Sequence, residues 1–292
     1  TRLSGSSPIL RSKSNCSTCL LMTVEKLVRM QEGGNRSGAL ATILGAIGFH
    51  VTLIEGGYKA WRAALVDALP ALAGALSCRV VCGPTGSGKT RLLQALAAQG
   101  AQVLDLEALA SHRSSVLGHI PGQPQPSQKR FDSLVWDALR GLDPARVVYV
   151  ESESKKVGNV RVPDALIDAM RASPCIDLRL DDEERVALLL EDYDFFVKDP
   201  ASFCVRLEAL TELRGKEVVS GWIDKVRQGR TPEVVLELLT RHYDPMYAQS
   251  IARNFSQFPQ ALPLALPNRS PQALAAAAQA LMASEGASLH PA

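Results

Sequence analysis

Residues 83–90 read GPTGSGKT, which matches in full the eight-residue pattern GxxxxGK[ST] of a phosphate-binding loop. Glycines within such a loop let the backbone turn tightly, so that successive N–H groups point at phosphate oxygens. Lys89 adds a positive charge, and the hydroxyl of Thr90 suits a magnesium ion. The predicted phosphate-binding residues are Gly83, Pro84, Thr85, Gly86, Ser87, Gly88, Lys89 and Thr90.

The segments on either side of this motif have the patterns that a phosphate-binding loop requires. SCRVVC at 77–82 is a short apolar run typical of a buried strand. Arg91 to Gln99 carries strong helix formers and stops before Gly100, a common helix terminator. A helix that starts at the loop adds the positive end of its dipole. A chance match in a turn is the alternative that this context disfavours.

A magnesium ion at such a loop usually takes a carboxylate from the end of a neighbouring strand. Asp105 closes the predicted strand AQVLD, and Glu151 closes ARVVYVE. We therefore predict Thr90, Asp105 and Glu151 as metal-binding residues. For both acids, a capping or solvated carboxylate at a strand end is the alternative.

Strand and helix patterns alternate along residues 75–180, which predicts an α/β fold with a mostly parallel sheet and helices on both faces. The later predicted strands are 101–107, 145–151 and 175–180, and the later helices are 129–142 and 163–173. Residues 181–260 form a helical region, and the Ala- and Pro-rich residues 261–292 are interpreted as a tail. Upstream, we predict helices at 37–49 and 58–72, with a strand and turn at 51–57.

The composition is that of a soluble globular protein, with 46% hydrophobic and 21% charged residues. A net charge of +2 does not by itself indicate a nucleic-acid binder. We expect neither a membrane span nor a secretory signal, because no long apolar run or signal pattern is present. Scattered cysteines suit a reducing cytoplasm, which is the predicted location. Four of them are interpreted as small buried hydrophobes: Cys78, Cys82, Cys175 and Cys204.

Several short segments follow the phosphate-binding motif in a characteristic order. They are DLEALASHRSS at 105–115, QPSQKRF at 125–131, VYVESES at 148–154 and VGNVRVP at 157–163. Together with GPTGSGKT they resemble the tRNA 2-selenouridine synthase family, whose members modify the wobble uridine of tRNA. The resemblance covers roughly residues 33–260 and is far more specific than the phosphate-binding motif alone.

The resemblance implies a two-step reaction at C2 of 2-thiouridine. Geranyl diphosphate first alkylates the sulfur, and selenophosphate then replaces the geranylthio group to give 2-selenouridine. The implied partners are therefore tRNA, a prenyl diphosphate and selenophosphate, with Mg²⁺ as cofactor. A diphosphate leaving group needs N–H donors, a lysine and a cation for its developing charge, which explains a phosphate-binding loop without an obvious ATPase apparatus.

The family elements also assign roles to particular residues of this chain. The implied catalytic residues are Lys89, His112, Arg113 and Glu151; the histidine and arginine lie where the family has an HRGS element. The basic residues near the loop are the candidates for tRNA contact, because phosphates dominate nucleic-acid affinity. They are Lys129, Arg130, Lys155 and Lys156. An exposed, solvated surface is the alternative for these charges.

The family joins a rhodanese-like domain to the phosphate-binding domain, and 33–74 resembles part of a rhodanese in GGNRSGALATILGAIGF and LIEGGYKAWR. Residues 1–32 are predicted to be poorly ordered or altered. The family cysteine lies six residues before an arginine, here Arg36, and that position is Met30. A thioether supplies no thiolate. The sequence therefore predicts the alkylation step and leaves selenation open.

Two other functions stay open from the residues alone. One is a P-loop NTPase or small-molecule kinase, and the other is a catalytically impaired remnant of the family. A prenyl diphosphate site needs an apolar channel beside the loop, whereas an ATPase needs a slot for adenine. The apolar residues considered for such a channel are Val116, Leu117, Ile120, Phe131 and Leu134, for most of which core packing is the alternative.

Overall fold

The computed structural model describes residues 34–113, Gly118 and residues 122–288. The chain divides into two compact units, one ending at Asp67 and the other beginning at Ala68. Met30 and residues 114–117 lie outside the described part, so the expectations placed on them remain predictions. No helix in the described ranges is long and apolar enough to cross a membrane.

The first unit contains helix α1 (Gly34–Ala46) and the start of helix α2 (Gly57–Gly74), in which the boundary between the units falls. The strand predicted at 51–57 is wrong. Residues 34–74 are described without a gap and contain only these two helices, with a turn at Glu55 and Gly56 between them. Leu53 and Ile54 are exposed, and no strand in the described part of the chain pairs with them. The rhodanese-like interpretation of 33–74 stays a prediction.

The second unit is built on a parallel sheet. Its strands, with a small hairpin formed by β4 and β5, are β1 (Ser77–Cys82), β2 (Gln102–Leu104), β3 (Val147–Glu151), β4 (Lys156–Val157), β5 (Val160–Arg161), β6 (Cys175–Arg179) and β7 (Leu262–Ala265). The five-stranded order is β2-β3-β1-β6-β7, and every pairing in it is parallel. The mostly parallel α/β fold is thus confirmed. β1 lies at the centre, so the phosphate-binding motif leaves the carboxyl end of the middle strand, where open α/β sheets bind ligands.

Helices cover the sheet and form the C-terminal region. They are α3 (Lys89–Ala98), α4 (Leu106–Ala110), α5 (Gln128–Gly141), α6 (Asp164–Ala172), α7 (Asp182–Asp192), α8 (Asp194–Lys198), α9 (Pro200–Glu208), α10 (Thr211–Arg214), α11 (Lys216–Arg227), α12 (Thr231–Leu238), α13 (Asp244–Asn254) and α14 (Pro271–Ser288). A π-helical turn, Leu239–Tyr243, joins α12 to α13, and a 3₁₀ turn, Phe258–Gln260, precedes β7.

Residues 261–288 are part of the fold, which corrects their interpretation as a tail. Leu262 to Ala265 pair with Ile176 to Arg179 and complete the sheet. Helix α14 packs on α3, and its Leu274 and Leu281 belong to the main core. Small alanine side chains let two helices approach closely, so a composition typical of a tail also suits a packed helix. The described residues of the ranges 75–180, 181–260 and 261–288 fall within one compact unit.

The helical region, predicted from the sequence and confirmed here, has an apolar core of its own. Trp222 is buried at its centre together with Phe196, Phe203 and Leu207. The indole N–H of Trp222 donates to Glu237 at 3.0 Å, so burial leaves this donor satisfied. In the sheet domain, Cys78, Cys82 and Cys175 are buried, as is Cys204 in the helical region, and all four are free thiols as expected.

Candidate functional site

The phosphate-binding motif forms a tight loop between β1 and α3. Gly86 and Gly88 have φ angles of 78° and 88°, a conformation that favours glycine. A side chain at Gly83 would come within 2.5 Å of Ser87 Oγ and 2.8 Å of the Leu178 carbonyl oxygen. All three glycines are therefore required for the local geometry, two by conformation and one by close packing.

Lys89 is the first residue of α3, and its side chain folds back over the loop. The ammonium group donates to the carbonyl oxygens of Gly83 at 2.8 Å and Pro84 at 3.4 Å. Phosphate oxygens are charged acceptors and form stronger hydrogen bonds to an ammonium group than neutral carbonyls do. The lysine is thus held at the rim of the loop in a position from which it can turn to an anion.

Three carboxylates gather on the β3 side of the loop. Glu107, Glu151 and Glu153 each offer an oxygen, and these atoms lie within 4.8 Å of one another. Glu151 and Glu153 are only 3% and 4% exposed. Thr90 connects this acidic group to the loop, because its hydroxyl lies 3.5 Å from Glu107 Oε2. We call Glu107, Glu151 and Glu153 the acidic group below.

The electrostatics of the acidic group are unfavourable by themselves. Burial raises the pKa of Glu151 well above its ordinary value, and the charges of Glu107 and Glu153 raise it further. Lys89 and the Thr90 hydroxyl act in the opposite direction. One oxygen of Glu151, Oε1, is buried without a hydrogen-bond partner. A hard divalent cation bound by these oxygens would relieve both the repulsion and the missing contact, so the residues fit a Mg²⁺ site.

Asp105 does not belong to this group, so the structure does not bring it together with Thr90 and Glu151, the other predicted metal-binding residues. Its carboxylate accepts a hydrogen bond from the backbone N–H of Ala108 at 2.8 Å and caps α4. Glu107, two residues later in the first turn of α4, lies beside Thr90 instead. The segment DLE at 105–107 contains two acids, Asp105 and Glu107. The residue at which α4 begins decides which of these two side chains faces the loop.

His112 and Arg113 follow α4 but point to different partners. The backbone N–H of His112 donates to the backbone carbonyl of Glu107 at 3.1 Å. The side chain of His112 is largely buried. Ser111, just before it, has a φ of 49°, the single positive value among the described non-glycine residues. The Arg113 guanidinium donates to the Asp192 carbonyl and lies 4.7 Å from the centre of the Tyr193 ring. The arginine thereby connects this loop to the end of α7.

The side chains of Gln125 and Gln128 hold the β4–β5 hairpin in place. Gln125 donates to the carbonyls of Ala110 and Val157 at 3.1 Å each and accepts from the N–H of Asn159 at 2.8 Å. Gln128 exchanges hydrogen bonds of 2.8 Å with the backbone of Arg161. The QPSQK and VGNVRVP segments therefore form one structural unit. In it, the side chains of Gln125 and Gln128 bond to the backbone of the hairpin as a neighbouring strand would.

This arrangement brings the predicted tRNA-binding residues onto one exposed surface. Lys156 pairs with Arg161 across the hairpin, Lys155 precedes it, and Gln128 links Arg161 to the start of α5, where the other two basic residues lie. Lys155 also contacts Asp164 at 3.3 Å in a largely exposed pair, which contributes little. We call Lys129, Arg130, Lys155, Lys156 and Arg161 the basic surface; Arg161 was not predicted from the sequence.

An apolar cavity of about 60 Å³ lies on the other side of the loop, next to Thr85. Its walls come from α7, α8, α9, α12 and the π-helical turn, and they include Leu189, Tyr193, Phe196, Val235, Leu239 and Tyr243. Phe131 is buried in the core of the sheet domain and, like Leu134, does not line the cavity. An apolar space beside the loop is therefore present, but the helical region builds it. Residues 116, 117 and 120 lie outside the described part of the chain.

Comparison with known proteins is consistent with these features. A family model described as the tRNA 2-selenouridine synthase AAA domain matches residues 76–209. A tRNA 2-selenouridine synthase from Alcanivorax borkumensis is 33% identical over 252 residues, which cover 76% of this chain and 67% of the relative. The chain belongs to the tRNA 2-selenouridine synthase family. A synthase from Cupriavidus necator is 34% identical over 246 residues, covering 74% of this chain and 65% of the relative.

This tRNA 2-selenouridine synthase family member spans about two thirds of the length of those relatives. The segment matched by the family model contains the phosphate loop, the acidic group and the basic surface. It ends before α12 and α13, which supply part of the cavity wall and a tyrosine, Tyr247, that reaches the loop. No motif in the sequence indicated Tyr247.

Proposed function

We propose that this chain transfers a geranyl group from geranyl diphosphate to the sulfur of 2-thiouridine at the wobble position of tRNA, as the first step towards 2-selenouridine. The name of its relatives supports tRNA wobble-uridine selenation. The observation that carries the alkylation step is the position of Thr85, which belongs to the phosphate loop and also lines the apolar cavity. A ligand with an anionic head and an apolar tail is complementary to this pair of neighbouring sites.

The chemistry requires stabilisation of a leaving diphosphate. The sulfur forms a bond to C1 of the geranyl chain, the C1–O bond breaks, and the diphosphate departs with the electron pair. Loop N–H groups and Lys89 stabilise the charge that develops on the departing oxygens, which is the largest single contribution in many enzymes of this type. The N3 proton of the base must also leave, and we assign its acceptance to His112, whose backbone N–H bonds to the carbonyl of Glu107 in the acidic group, because a neutral imidazole nitrogen can accept a proton.

Thr90 and the acidic group would hold Mg²⁺, which when bound supplies further charge neutralisation at the diphosphate. The buried and unpartnered oxygen of Glu151 supports this assignment. The alkyl tail would enter the cavity by its far end, because about 60 Å³ is less than a whole geranyl chain occupies. We expect α8 and α12 to separate slightly when it binds.

The basic surface would contact the tRNA backbone. Its residues are exposed, and the hairpin that carries Lys156 and Arg161 follows β3, the strand that also ends in Glu151. Phosphate contacts position a nucleic acid without reading its sequence. The base to be modified would then lie between the basic surface and the phosphate loop.

Selenation is the second step, with selenophosphate as the selenium donor. Met30 occupies the position of the family cysteine and lies outside the described residues. The alkylation proposal does not depend on that position, since all the residues assigned to it lie between Gly83 and Tyr243.

A P-loop NTPase or small-molecule kinase is the second candidate, and one observation favours it. An open cleft lies beside Pro84, at the carboxyl ends of β6 and β7, and is lined by Arg179, Asp181, Asp182 and Leu266. Its mixed polar and apolar lining suits a nucleoside better than an alkyl chain. ATP and geranyl diphosphate would compete for the same loop.

The proposal is tested by incubating the chain with 2-thiouridine-containing tRNA, geranyl diphosphate and Mg²⁺, with and without selenophosphate, followed by mass spectrometry of the nucleosides. S-geranyl-2-thiouridine in both arms supports alkylation, and 2-selenouridine in the second arm shows that Met30 is tolerated. ATP hydrolysis by the same preparation, without any modified nucleoside, would favour the NTPase. A folded chain with neither activity would be a remnant.

A further inference from the structure

We propose that Tyr247 is a residue of the phosphate site: its hydroxyl holds the first N–H of the loop and donates a hydrogen bond to the bound diphosphate. The inference rests on the proposed function only in taking a diphosphate as the ligand. Tyr247 lies on α13, beyond the segment matched by the family model.

The position of the hydroxyl is the first argument. Tyr247 Oη accepts the N–H of Gly83 at 2.5 Å. The ammonium group of Lys89 lies 6.0 Å from the centre of the tyrosine ring and 2.8 Å from the Gly83 carbonyl oxygen. The hydroxyl, the first residue of the loop and the lysine that binds phosphate are therefore neighbours.

The ionisation state of the hydroxyl is compatible with this role. Burial raises the pKa of Tyr247 well above its ordinary value, so the group keeps its proton at neutral pH. A phenol can accept one hydrogen bond and donate another. The oxygen accepts from Gly83 and also lies beside the hydroxyl of Ser152, and both contacts favour the Tyr247 oxygen as an acceptor. The O–H is therefore the group that can donate to an anion.

A buried ion pair fixes the helix that carries Tyr247. Arg185 is 4% exposed and donates to both carboxylate oxygens of Asp244, at 2.6 and 3.0 Å, in the two-pronged geometry that makes such pairs strong. The same guanidinium donates twice to the Thr85 carbonyl, at 3.0 and 2.8 Å. Asp244 begins α13, and Tyr247 lies three residues later on the same side of the helix.

These contacts attach both ends of the first turn of the loop to α13. Tyr247 holds the N–H of Gly83, while Arg185 holds the carbonyl of Thr85, and Asp244 joins the two through α13. Lys89 must leave the carbonyls of this turn to contact a phosphate, and the hydroxyl of Tyr247 stays beside the first residue of the loop. A fixed donor of this kind costs no reorganisation when the anion binds.

The test is the affinity of the whole chain for inorganic pyrophosphate with Mg²⁺, measured by calorimetry for the wild type and for Tyr247→Phe. Loss of one hydrogen bond to a charged group is expected to weaken binding about tenfold or more. The affinity for tRNA is expected to be unchanged, which separates a phosphate contact from a general structural defect. The thermal midpoint without ligand is expected to fall slightly, because the Gly83 N–H loses its acceptor. Met246→Ala is the matched control, because Met246 is the exposed neighbour on the same helix.

Each result of these titrations either supports or overturns the role of Tyr247. Pyrophosphate affinity of Tyr247→Phe within twofold of the wild type would overturn the inference, as would an equal loss in Met246→Ala or a parallel loss of tRNA affinity. If Lys89→Ala abolishes pyrophosphate binding while Tyr247→Phe does not change it, the proposed function stands and this inference alone fails. If the wild type does not bind pyrophosphate, both fail.

Discussion

On the β3 side of the phosphate loop the protein brings three carboxylates within 4.8 Å of one another, whereas on the helical side Thr85 faces a cavity with apolar walls. The first flank concentrates charge that is unfavourable until a cation binds it. The second flank is apolar, and its described lining carries no ionisable group except tyrosine phenols. Under the proposed function, one loop would separate the parts of its ligands, with the metal and tRNA on one side and the alkyl tail on the other.

Removing the side chain of Lys89, which both flanks share, is expected to have the largest effect on catalysis. Lys89→Ala is predicted to lower kcat/KM for tRNA alkylation by about 10²–10³-fold, because it removes a charge placed at the developing diphosphate. Stability is expected to change little, since the ammonium group bonds only to carbonyls of the loop rim. Steady-state formation of S-geranyl-2-thiouridine measures the loss. Near-normal activity would show that neither flank works through this loop.

Breaking the charged flank alone is expected to weaken metal binding. Glu151→Gln is predicted to lower Mg²⁺ affinity by about tenfold or more, because it removes one anionic ligand, and calorimetric titration with Mg²⁺ measures this. Asp105→Ala is the matched control. It removes a helix cap that contributes about 1 kcal/mol to stability and should leave Mg²⁺ affinity unchanged. The opposite ranking of the two variants would restore Asp105 as the metal-binding residue.

Filling the cavity of the apolar flank is expected to weaken the binding of geranyl diphosphate alone. Val235→Phe places extra carbon atoms in the cavity, so KM for geranyl diphosphate should rise about tenfold. Affinity for inorganic pyrophosphate should stay the same, because the loop itself is unchanged. Leu236→Phe, on the exposed neighbour, serves as the control. Equal effects on both ligands would mean that the cavity supports the loop rather than the tail.

Reversing charge on the basic surface is expected to give the smallest effect on catalysis. Lys155→Glu with Lys156→Glu should weaken tRNA binding several-fold and make the slope of log K against log salt shallower by about 1.5, as two phosphate contacts require. Filter binding over a salt series measures both. The same reversal at Lys216 and Arg227, exposed on α11, is the control. An unchanged slope would move the tRNA contact away from this surface.

The comparison also shows how far prediction from the sequence extended. The phosphate loop and Thr90 belong to one continuous strand–loop–helix unit, and Glu151 lies at the end of a strand. Local spacing was therefore enough to select these residues from the sequence. Asp105 lies apart from Glu151, and Glu107 takes the place beside Thr90, because the direction of these two side chains depends on where α4 starts. The fifth strand and α14 were missed because an alanine-rich segment has the same composition as a tail until a partner helix packs against it.

The sequence by itself determined the loop, the parallel α/β class and the helical character of the C-terminal region, because each follows from local residue types and their periodicity. Only the tertiary structure decided what lies on either side of the loop. Glu107, Arg161, Arg185 and Tyr247 reach the site from helices and a hairpin separated in the chain, and the cavity has walls from five segments. Contacts of that kind depend on how elements pack in space, which no local pattern records.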